Sequence, residues 1–79
     1  MKNELLQDIR HYMDLTQPDF AEWLGVSPAS IAHVEANHRN ISDSLAAKIA
    51  RKFDVADPDF VEYRKRKAQT RNYFFSDSV

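Results

Sequence analysis

The chain has 79 residues, 43% of them hydrophobic and 11% aromatic, enough for one small core and one site, so it is not a chain disordered for want of apolar surface. It contains no cysteine and a single glycine, which excludes a disulfide framework, a thiolate metal site and a Gly-rich phosphate loop and fits a reducing, intracellular home. The net charge of −1 conceals a division, since residues 1–63 hold six Lys/Arg against eleven Asp/Glu while residues 64–79 hold five against one.

Scarce breakers favour helices throughout. Leu5, Leu6, Ile9, Tyr12 and Met13 recur at helical spacing and predict a first helix over 4–14, with Asn3 as its N-cap. Thr16 offers an N-cap to a short second helix, in which Pro18 is tolerated in the first turn, Phe20, Ala21 and Leu24 form the apolar stripe, and Gly25 marks the end. Ser27 followed by Pro28 starts a third helix running to about Ala36 and burying Ile31 and Val34. Residues 37–41 read as a loop, after which Ser42 or Asp43 caps a fourth helix carrying Leu45, Ile49 and Phe53. Asp57-Pro58 starts a fifth, carrying Phe60 and Val61, with an end that the pattern leaves open. The longest apolar runs, residues 45–47 and 73–75, are too short for a membrane span or the apolar region of a signal peptide, and the chain reads as an all-α, soluble protein.

Only Gly25, Val26 and Ser27 separate the second and third helices, too few for an antiparallel hairpin and suited to two helices crossing steeply. Ala21 is small where the helices must cross, Gly25 can take a positive φ, and Val26, Ile31 and Val34 can bury the turn. The stretch LTQPDFAEWLGVSPASIAHVEANHRNISDSLAAKIARKFDV, residues 15–55, carries Leu15-Thr16-Gln17, Ala21, Leu24-Gly25-Val26-Ser27, Ile31 and Glu35. With these residues it resembles the lambda-repressor-like, Cro/C1-type helix-turn-helix domains of phage repressors and bacterial regulators. The resemblance implies a five-helix domain over 1–63 whose recognition helix, about 28–36, enters the major groove of double-stranded DNA. It also implies dimers that read two half-sites in the bacterial cytoplasm, with no cofactor and no small-molecule substrate.

Residue by residue, the resemblance places Gln17 on a phosphate, helped by the amides of the helix start. It sets Ser27, Pro28, Ala29, Ser30, Ala32 and His33 along the face that meets the bases. None of the commonest base-reading side chains (Arg, Lys, Asn, Gln) stands between Ser27 and Ala36, so direct readout falls to a hydroxyl of Ser27 or Ser30, the His33 imidazole and the Ala29 and Ala32 methyls. The rival reading is a face kept small in order to pack another protein. Asn37, His38, Arg39 and Asn40 occupy the loop that grips phosphate in such domains, with Arg39 the foremost candidate and Asn37 standing where a left-handed residue is needed. Arg10 and Glu35 match a partly buried ion pair tying the first helix to the third, a scaffold role.

Residues 64–79 form a basic and aromatic extension. A run such as Arg64-Lys65-Arg66-Lys67 is either a solvated helix face or a polyanion contact. Tyr73, Phe74 and Phe75 are too apolar to be left in water and are expected either at a dimer contact or docked on the chain's own core. Other chemistries lack the residues. His11, His33 and His38 show neither an i, i+4 pair nor a zinc-protease pattern, nothing pairs a nucleophile with a base, and Asp57 and Asp59 suit capping of a helix start. No metal site and no catalysis are expected. The acidic balance of residues 1–63 keeps a second class open, a helix-turn-helix module that docks a protein, such as an antirepressor or antitoxin.

Overall fold

In a computed structural model, which describes the backbone of residues 2–77 and the side chains of residues 2–69, the described residues form five helices and no strand. They are α1 (Asn3–Tyr12), α2 (Gln17–Leu24), α3 (Pro28–Glu35), α4 (Asp43–Lys52) and α5 (Pro58–Asp77). Three of the starts are capped by hydroxyls as the local sequence dictates: Thr16 accepts from the Asp19 amide (3.2 Å), Ser27 from Ser30 (3.3 Å) and Ser42 from Leu45 (3.1 Å). The start of α1 is different. Its N-cap residue is Lys2, with no side-chain cap, and Asn3 sits inside the helix with its amide turned to another use. The expectation of Asn3 as a cap is corrected accordingly.

The first three helices end in the same way. Asp14, Gly25 and Asn37 have φ of 57°, 77° and 62°, and after each the next amide reaches back to the helix: Leu15 to the Arg10 carbonyl, Val26 to Ala21 and His38 to His33, at 3.1, 2.9 and 2.9 Å. This six-to-one closure stops a helix within one residue and turns the chain sharply. Only α2 uses glycine for it, and Asp and Asn are the other residues that reach the left-handed region most readily. Abrupt stops of this kind are what allow α1, α2 and α3 to fold onto one another through connections of only four and three residues.

The core is built from the periodic apolar positions of every helix. Leu6, Ile9, Phe20, Ala21, Ile31, Ile49 and Phe60 are fully buried, with Leu5, Leu24, Val34 and Leu45 close behind. Each large side chain removed from water contributes about 1.5–3 kcal/mol before ordering costs. Beside this core Tyr12, Phe53, Phe60 and Tyr63 form a ring cluster with centroid separations of 4.8–6.2 Å, mostly edge to face, which seats the start of α5 against the end of α1. Val61 points the other way and is 37% exposed.

α5 continues unbroken across residues 63 and 64. Phe60, Tyr63, Arg64 and Lys67 share one face of it, the spacing of a helix laid along a neighbour. On that face Arg64 Nε and Lys67 Nζ donate to the two oxygens of Asp8 on α1, at 2.9 and 2.8 Å. Asp8 is 6% exposed, the one buried charged residue of the described core. Half of the basic run is thus neither a solvated face nor free for a polyanion. It neutralises a carboxylate that burial would otherwise penalise. Tyr73, Phe74 and Phe75 lie outside the described side chains.

Candidate nucleic-acid interface

The turn between α2 and α3 shapes the site. Gly25 stops α2, Val26 is half-buried beneath the turn, and Ser27 caps α3 at once, so α3 begins at the surface with its first residues outward. Lys48 and Lys52 of α4 brace the same corner, donating to the Gly25 carbonyl (3.4 Å) and the Trp23 carbonyl (2.6 Å). Cations there satisfy the negative end of α2. Trp23 stacks on Phe20 at 5.8 Å with Lys52 over its ring at 5.6 Å, so it belongs to the packing.

Along α3, Ile31 and Val34 are buried, Ser30 and Ala32 are half-buried, and Ser27, Pro28, Ala29 and His33 are exposed. The Ser27 and Ser30 hydroxyls stand 3.0 Å apart and bond to each other, while the Ser27 hydroxyl also caps the helix by accepting from the Ser30 amide. The His33 ring lies 6.4 Å from that of His38, nearly parallel at 24°, an arrangement made by the closure that returns His38 to the His33 carbonyl. Gln17 is half-buried at the first position of α2. Asn37, His38, Arg39 and Asn40 are all exposed, and Asn37 does take the left-handed conformation.

The fold consumes most of the described cations internally. Arg10 donates from Nε and Nη2 to the two Glu35 oxygens, at 2.8 and 2.7 Å, and from Nη1 to the Leu15 carbonyl at 3.0 Å. These side chains are 14% and 5% exposed, so the pair is buried and bidentate and joins α1 to α3. Arg64 and Lys67 hold Asp8, and Arg66 meets Glu62 at 3.4 Å on the surface. Among the described residues Lys2, Arg39, Arg51 and Lys65 have no side-chain partner, and of these Arg39 follows α3 directly. Partial burial first, then the Lys67 and Arg10 cations, hold the His11 imidazole below its ordinary 6.5.

A cleft of about 190 Å³ lies between α3 and α4, with Ser30, Arg39, Asn40, Ser42 and Lys48 on its rim. It is smaller than the ~300 Å³ at which small-ligand sites begin. Among the described residues no three His, Asp or Glu side chains converge as a metal would need, and no helix is long and apolar enough to cross a membrane.

Two residues that join distant parts of the chain escaped the sequence reading, Asp8 between α1 and α5 and Asn3 beside the loop after α3. Asp8 carried no local signal, because its partners are 56 and 59 residues away. Asn3 was read as a cap, whereas it bonds to the loop that carries Arg39.

No curated protein and no solved structure matches the chain. A helix-turn-helix family model matches residues 7–60, from the middle of α1 to the first turn of α5, and so covers the turn, α3 and the loop after it. Over more than half of its length, and with α2, a three-residue turn and a projecting α3 in place, the chain belongs to the Cro/C1-type, lambda-repressor-like helix-turn-helix family of DNA-binding domains.

Proposed function

We propose that the chain is a sequence-specific transcriptional regulator that places α3 in the major groove of an operator half-site and binds two half-sites as a homodimer in the bacterial cytoplasm. The observation that carries this reading is the exposed edge of α3, Pro28, Ala29 and His33, followed within four residues of the end of α3 by Arg39, an exposed cation without a side-chain partner among the described residues. In this reading His33 and the alanine methyls discriminate bases, and Gln17, Arg39 and the polar residues around it fix the register on phosphates. Ser27 and Ser30, which already bond each other, serve the helix first and the DNA second. Arg10 and Glu35 hold α1 on α3 and touch no DNA. The second subunit is drawn to the aromatic run Tyr73–Phe75, whose apolar character calls for cover. Neither catalysis nor a cofactor enters the proposal.

Selection of bound sequences from random duplexes at two salt concentrations tests it. Enrichment of a two-fold symmetric site supports it, and repeating the selection with His33→Ala shifts the preferred bases while Arg39→Ala lowers all sequences alike. A second reading is favoured by the −5 balance of residues 1–63 and by an α3 without Arg, Lys, Asn or Gln: a module that docks a protein, as an antirepressor or antitoxin does. No enrichment at either salt supports that alternative.

A further inference from the structure

We propose that Asn3 is a positioning residue for DNA binding: from the first turn of α1 its side-chain amide holds residues 37–41 in the form that presents Arg39. The inference rests on the DNA reading above and assigns a role to a residue outside both α3 and its loop.

Asn3 Nδ2 donates to the Asn37 side-chain oxygen (3.2 Å) and to the Arg39 carbonyl (3.0 Å), and Asn3 Oδ1 accepts from the Ile41 amide (3.3 Å). These partners are 34 to 38 residues away in sequence, so the amide is not serving its own helix. α1 starts without it, since the Leu5 amide already reaches the Lys2 carbonyl at 3.0 Å. The segment it holds has no regular structure, and among the described hydrogen bonds the backbone of residues 39–41 makes none to the rest of the chain except these two to Asn3. A primary amide is suited to the task because one planar end offers two donors and an acceptor. A carboxylate would lack the donors and an alkyl chain would lack both.

Arg39 itself is exposed, and its side chain has no partner among the described residues. If residues 39–41 were loose, contact with a phosphate would have to order them at the moment of binding, and that ordering would subtract from affinity. By fixing the backbone on either side of the Arg39 side chain in advance, Asn3 removes this cost without approaching the DNA. The Asn37 contact adds to the same end, because it steadies the left-handed residue at which the loop leaves α3.

The test compares wild type, Asn3→Ala, Arg39→Ala and the double variant, titrated with a duplex enriched by selection and with an unrelated duplex over a range of salt. Asn3→Ala is expected to weaken both duplexes by about ten-fold, equivalent to ~1.4 kcal/mol, and to flatten the log-log salt slope by up to about 0.9, the share of one phosphate. In the Arg39→Ala background the same substitution should change little, because the residue it positions is gone. Amide exchange in the free protein gives a readout independent of DNA: the Ile41 amide should exchange faster in Asn3→Ala. Should the alanine variant unfold, Asn3→Ser replaces it, since serine suits a helix start and is too short to bridge all three partners. The proposal is overturned if wild type binds the enriched duplex and Asn3→Ala binds it equally well, or if the full loss persists without Arg39. If wild type binds no duplex at any salt, the DNA reading falls first and this role falls with it.

Discussion

Replacement of Arg10 by methionine probes the joint between α1 and α3. The wild-type guanidinium makes four bonds, two to Glu35, one to the Leu15 carbonyl and one to the His11 ring. Methionine fills much of the same space but leaves the Glu35 carboxylate, with a side chain 5% exposed, without its counter-ion. Removing one member of a buried pair costs about 3–5 kcal/mol, most of it the penalty on the charge left behind. The Leu15 carbonyl loses its donor as well. A domain of this size has roughly 4–12 kcal/mol in total, at 0.05–0.15 kcal/mol per residue. Each kcal/mol moves the Tm by about 4–8 °C, so thermal unfolding followed by circular dichroism should show a fall on the order of 15 °C or more. Removing the orphaned charge as well, in Arg10→Met/Glu35→Leu, should recover most of that loss. A single variant that melts with the wild type, or a double variant as unstable as the single, would refute the scaffold role of the pair.

Three further outcomes follow from the geometry. Gly25→Ala should lower stability by about 1–2 kcal/mol in chemical denaturation, because a Cβ there meets nothing within 4 Å and the whole cost is the positive φ of 77°; a loss well beyond this would mean a clash that the structure does not contain. Asp8→Asn should loosen α5 on α1 beyond the ring cluster, seen as faster amide exchange along residues 64–67, with a stability loss of only about 1–2 kcal/mol, since Arg64 and Lys67 are 40% and 24% exposed and regain water. The lowered His11 value predicts an NMR titration midpoint under 6.5. The unfolded chain then takes up the proton first, so stability falls as pH drops from about 6.5 to the lowered folded value and is flat outside that window. His11→Gln should flatten that segment, and a midpoint at or above 6.5 would contradict the assignment.

What was legible in this chain was local. The hydroxyls of Thr16, Ser27 and Ser42 act within three residues of themselves, and the apolar stripes repeat every three or four positions, so a reading along the chain finds both. Gly25 and the turn after it were legible for the same reason. Asn3 was misread because asparagine before an apolar stripe satisfies the rule for a cap, and nothing near it signals a loop 34 or more residues away. The basic run was ambiguous because two of its cations face Asp8 and two do not, a division set by the rotation of α5 against α1. Asp8 looked like any polar residue on an amphipathic helix. Its burial is a product of that same docking.

The central claim is that the edge formed by α3 and the loop after it meets DNA. Titrating isotope-labelled protein with a duplex enriched by selection, and following amide and side-chain shifts residue by residue, tests this most directly. The account predicts that the changes concentrate at Gln17, Ser27 to His33 and Asn37 to Asn40, with the groove between α1 and α5, lined by Glu4, Val55, Val61 and Lys65, little affected. Changes confined to that groove, with residues 27–40 unmoved, would contradict it.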